Sequence, residues 1–84
     1  MDRFIITFRS ITFAQRGERA LRKLGLDCTL LRTPRELTSR GCGYCLRVTD
    51  RQAQDAVRLL RQGKIMFGRV YLISPGREPL EVSL

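Results

Sequence analysis

Eighty-four residues, 43% of them hydrophobic, describe one folded domain around a modest core, with too little chain for a second. No apolar run approaches the roughly 18 residues that span a bilayer, and the absence of histidine excludes imidazole-activated nucleophiles and mixed cysteine–histidine metal sites. The net charge of +8, carried by fourteen arginines and two lysines, fits either an anionic partner or solvated basic helix faces.

The first predicted element is a strand over residues 3–9, with Phe4, Ile6 and Phe8 on one face and Ile5 and Thr7 on the other. The apolar part of this stretch is broken by Arg9 and is too short for a signal-peptide core. That predicts a soluble, cytoplasmic chain whose thiols stay reduced. A helix follows, capped by Ser10 or Thr12, with Ala14, Gly17, Leu21 and Leu24 at helical spacing and Gly25 as its stop. Residues 27–32 alternate as a second strand, and Cys28 within it reads as a buried, inert thiol.

Residues 33–43 form a loop that opens with Pro34, longer than ordinary hairpin connections. Residues 44–48 form a third strand, with Tyr44, Leu46 and Val48 on one face and Cys45 and Arg47 on the other. A capping box at Thr49 and Gln52 predicts a second helix that buries Ala53, Ala56, Val57 and Leu60 and ends at Gly63. Residues 69–74 make a fourth strand, and Ser74-Pro75-Gly76 breaks it. The order β-α-β-β-α-β predicts an α+β, ferredoxin-like domain over residues 1–76, with a four-stranded antiparallel sheet and two helices on one face. Residues 77–84 are left as a C-terminal tail or an extra edge strand.

The chemistry concentrates in the loop, at Arg40-Gly41-Cys42-Gly43-Tyr44-Cys45. Gly41 and Gly43 leave the Cys42 sulfur sterically open and permit backbone angles closed to other residues. Arg35, Arg40 and Arg47 favour the thiolate, which is the nucleophile, or bind an anionic group on a substrate. Cys45 is the candidate to resolve an adduct on Cys42. Residues three apart along a strand lie on opposite faces about 10 Å apart, so resolution requires a turn at Gly43. One CxxC supplies two ligands of a four-ligand zinc site, so neither metal nor cofactor is expected.

At this loop the chain resembles the family of small proteins described as putative selenium/sulfur carrier-like. The resemblance is carried by Pro34-Arg35-Glu36-Leu37-Thr38, by Cys42-Gly43 and by Leu46-Arg47-Val48, with a weaker match at Ala14 and Glu18. It spans roughly residues 3–74. It implies a chalcogen carrier with Cys42 as the carrying residue, and donor or acceptor proteins of a sulfur or selenium pathway as partners. Cys45 departs from the pattern, because a small apolar residue is expected there, and the Cys-Pro-x-Pro of established sulfur-transfer proteins is absent. A basic nucleic-acid-binding module, or an adaptor for an acidic protein, is the alternative. Against it, Tyr44 falls on the apolar face, and the third strand lacks the aromatic signature of RNA-recognition motifs.

Overall fold

The computed structural model describes residues 2–37 and 43–84. Strand β1 (Arg3–Phe8), helix α1 (Ile11–Lys23), strands β2 (Cys28–Arg32) and β3 (Tyr44–Thr49), helix α2 (Ala53–Gln62) and strands β4 (Val70–Ile73) and β5 (Leu80–Val82) follow one another. A short 3-10 turn, Arg35–Leu37, lies between β2 and β3. The sheet order is β2-β3-β1-β4-β5, and every neighbouring pair is antiparallel. The sheet therefore has five strands, not the four expected. The fifth is the extra edge strand given as one alternative for the C-terminal stretch, where Val82 pairs with Val70 and Leu80 with Leu72.

Strand alternation decides what each face carries. Phe4, Ile6 and Phe8 join Leu46, Val48 and Val70 beneath Ala14 and Leu21 of α1 and Ala53, Ala56, Val57 and Leu60 of α2. Both helices thus cover the same face. The opposite face is bare of helices and carries Ile5, Cys45, Leu31, Tyr71 and Ile73, with Leu37 packed down on it from the 3-10 turn.

Helix ends follow local rules, with one correction. Ser10, not Thr12, caps α1, its Oγ accepting the Phe13 amide at 3.2 Å. The stop at Gly25 is as expected: its φ is +85°, and the Gly25 and Leu26 amides donate to the Arg22 and Leu21 carbonyls. The capping box at Thr49 does not form. Thr49 is still paired with Arg3 in the sheet, and the Gln52 side chain instead accepts the Asp27 amide at 3.2 Å. At the end of α2 the left-handed residue is Lys64 (φ 55°), while Gly63 keeps an ordinary backbone. Replacing Lys64 with glycine should relieve that conformation and raise stability by about 0.5–1 kcal/mol, seen as a higher denaturation midpoint with an unchanged slope.

Gly17 sets the spacing between α1 and the sheet. A Cβ there would lie 3.1 Å from Phe8 Cζ and 3.2 Å from methyls of both Leu46 and Leu60. Only a residue without a side chain lets the helix approach this closely. Phe8 in turn pairs with Tyr44, so this contact braces the end of the sheet from which the β2–β3 loop departs.

Candidate functional site

The β2–β3 loop is pinned at both ends. The Thr33 amide donates to the Gly43 carbonyl at 3.1 Å, and the Leu37 amide donates to the Pro34 carbonyl at 2.9 Å, closing the 3-10 turn. Pro34 suits the start of that turn, because its ring presets φ and it has no amide to satisfy. Leu37 ends the turn and is 8% exposed, buried against Ile5 and Cys45. Cys42, Arg40 and Gly41, three of the expected site residues, lie outside the described residues.

The others are placed as follows. Gly43 does not sit in the left-handed region, and a Cβ on it would meet nothing among the described residues. The backbone therefore does not demand glycine there, contrary to expectation, while the space beside it is open. Arg47 is on the helix-free face, opposite Ile5 on β1 and Thr29 on β2. Arg35 lies in the 3-10 turn and is engaged in an interaction.

Cys45 has no solvent exposure. It faces away from the helices, between Thr7 on β1 and Leu31 on β2, with Leu37 over it. Burial pushes its thiol pKa up, against smaller lowering contributions from the Thr33 hydroxyl and the Arg47 charge. Thr33 is 7% exposed, and its Oγ1 has no hydrogen-bond partner among the described residues, so it does little to stabilise a thiolate. As positioned, Cys45 is a protonated core residue. Cys28 is also buried. Its thiol points at the Glu18 carbonyl at 3.9 Å, and burial raises its pKa although Arg22 opposes the rise.

These raised values set a pH dependence. Above the ordinary thiol pKa of 9.0 the unfolded chain loses protons that the folded chain keeps, so stability falls as pH rises through the folded values. Below it both states hold the proton and the two thiols contribute no slope. Chemical denaturation should therefore show little thiol-dependent change from roughly pH 6 to 8 and a decline above roughly pH 9, and Cys45→Ala should make that decline shallower.

Some residues that shape the site escaped the sequence reading. Leu37 stands out in the sequence only as part of a loop motif, yet it joins Cys45 and Ile5 in one buried cluster. A cleft of about 390 Å³ opens beside it on the helix-free face, between the Pro34–Leu37 side and the β4–β5 connection at Arg77 and Pro79. Arg3 belongs to this cleft, and strand alternation could have placed it there, two residues before Ile5. Arg77 and Pro79 carry no such signal in a segment that reads as a tail or an extra edge strand. Tyr44 lies against the core on the helix side with the Arg32 guanidinium 5.6 Å from its ring centre, which agrees with the expected alternation. Among the described residues no group of acidic, cysteine or histidine side chains is arranged to hold a metal ion, and no helix is long and apolar enough to cross a membrane.

Residues 3–72 match the model of a family described as putative Se/S carrier protein-like. No curated protein and no solved structure matches the chain.

Proposed function

We propose a function from one premise: this chain belongs to the putative Se/S carrier protein-like family. The protein is a carrier that accepts sulfur or selenium on Cys42 and passes it to a partner protein of the same pathway, in a reducing, cytoplasmic setting. The observation that carries this reading is the extent of the family match, which takes in the whole segment from Pro34 to Gly43. The sheet order β2-β3-β1-β4 supports a ferredoxin-like reading of the domain, with β5 added at one edge.

In the transfer step, the Cys42 thiolate attacks the terminal sulfur of a donor persulfide. A new S–S bond forms on Cys42, the donor's S–S bond breaks, and the donor leaves as a thiolate. Delivery repeats the step in the other direction, with an acceptor thiolate attacking the outer sulfur and Cys42 leaving. Arg35, Arg40 and Arg47 supply the positive potential that favours the Cys42 thiolate, and Gly41 and Gly43 keep the approach open. Open space at the Gly43 Cβ position supports that last role.

The burial of Cys45 favours carriage over dithiol redox chemistry. Were its thiolate free to attack the inner sulfur of a loaded Cys42, a disulfide would form and the cargo would leave as hydrosulfide. A protonated, covered Cys45 cannot do this. Cys45 is in this reading a thiol held back, and it becomes a resolving residue only when Leu37 is lifted.

Exposure to a low-molecular-weight persulfide should add one sulfur at Cys42, found by mass spectrometry, and Cys42→Ser should abolish the addition. Iodoacetamide should label Cys42 at least about tenfold faster than Cys28 or Cys45, since rate follows thiolate fraction and access. Equal labelling of Cys28, or sulfur uptake that survives Cys42→Ser, rejects the reading.

A further inference from the structure

The cleft on the helix-free face has a second chemistry, separate from the thiols. Its floor is Ile5, Leu31 and Ile73, its inner wall is Leu37, and its rim carries Arg3, Arg47 and Arg77. Glu36 is the acidic residue of the lining. None of the three rim arginines is in an ion pair among the described residues, whereas Arg22, Arg58 and Arg69 each have a carboxylate partner.

The sheet holds two of these charges close together. Arg3 is opposite Thr49 and Arg47 is opposite Ile5, so the two arginines are diagonal neighbours on one face, their backbone positions about 7–8 Å apart. The β4–β5 connection adds Arg77 to the same cleft. An apolar floor beneath guanidinium groups that hold no ion pair among the described residues suits a molecule with a hydrocarbon body and one anionic head. Guanidinium matches a planar carboxylate in two parallel hydrogen bonds, and the volume lies within the range of small-molecule sites.

We infer that this cleft is a binding site for a small organic carboxylate, with the hydrocarbon part on Ile5, Leu31, Leu37 and Ile73 and the head group on Arg3, Arg47 and Arg77. The inference does not depend on Cys42, and its test does not involve sulfur.

Hexanoate titrated into isotopically labelled protein should shift the amide resonances of Ile5, Leu31, Leu37 and Ile73 together, with millimolar or tighter affinity. Hexanamide, the same body without the charge, should bind at least about tenfold more weakly, and Arg47→Gln should weaken hexanoate by about tenfold, the loss expected for one charge-assisted pair. Arg3→Gln provides a second rim variant should Arg47→Gln disturb the sheet. Arg16→Gln, on the exposed side of α1, should leave the affinity unchanged. Cys42→Ser should bind hexanoate as the unaltered protein does, which separates this site from the sulfur-loading reading. Absent or scattered shifts, equal affinity for hexanamide, or equal weakening by Arg16→Gln overturns the inference.

Discussion

Replacing Leu37 with alanine should uncover Cys45 and turn a loaded Cys42 into a Cys42–Cys45 disulfide, with release of hydrosulfide. Among the described loop residues Leu37 is the one that shares a buried cluster with Cys45, and it comes from a turn of only three residues. Truncating a buried leucine costs about 2–5 kcal/mol. The lower end applies here, because the wall is short and can settle inward. The chemical effect should exceed the effect on stability. Water reaching the thiol removes the desolvation that raises its pKa, while Arg47 on the same face continues to favour the thiolate. Labelling of Cys45 should rise by at least about tenfold, since both access and thiolate fraction increase. Persulfide loaded on Cys42 should be lost correspondingly faster, and adding Cys45→Ala to Leu37→Ala should restore its lifetime. If the double variant loses sulfur as fast as the single one, Cys45 is not the attacking group and the proposed role of its burial is wrong.

Gly17→Val should be strongly destabilising. The Cβ alone would sit 3.1–3.2 Å from three side chains, and valine adds two methyl groups with a stiff χ1 that cannot turn away from the sheet. Overpacking of this kind costs about 1–3 kcal/mol, and the crowding from three directions puts Gly17→Val at the top of that range. For a domain of this size the melting temperature should fall by roughly 12–24 °C. Gly17→Ala separates the causes, because alanine improves helix propensity by about 1 kcal/mol while meeting the same contacts. It should come out near neutral. A melting point unchanged in Gly17→Val would mean that α1 does not depend on this close approach. Because Phe8 is one of the crowded side chains and pairs with Tyr44, the valine variant should also perturb the amide signals of Gly43 and Tyr44.

Much of this architecture was legible because alternation in a strand is a strong signal when one face must be buried. The sequence Phe4-Ile5-Ile6-Thr7-Phe8 sorts its aromatics to the helix side, and Tyr44-Cys45-Leu46-Arg47-Val48 sorts its thiol to the other. Strand β5 was harder to read. It has three residues, Leu80 and Glu81 are exposed, and its main support is pairing with a strand ten residues earlier. The capping box at Thr49 misled because pairing with Arg3 holds that residue in the sheet, where its side chain is not free to cap. Gly63 was legible as the end of α2, where it is the C-cap, while the left-handed position one residue later on Lys64 carried no local signal. The burial of Cys45 under Leu37 was beyond local pattern. It depends on how a turn folds back over the sheet, and no periodicity encodes that. The carboxylate cleft was out of reach for a similar reason, since its rim arginines come from residues 3, 47 and 77.

The hydrogen bond from the Thr33 amide to the Gly43 carbonyl has a consequence for how such a chain can diversify. It seals the strands at the point where the segment bearing Cys42 leaves and returns, so sheet pairing ends there whatever that segment's length. Closing a longer flexible segment costs little, about 0.6 kcal/mol for each doubling. Insertions between Leu37 and Gly43 therefore leave the folded scaffold the same and change only the length of chain presented at that end of the sheet.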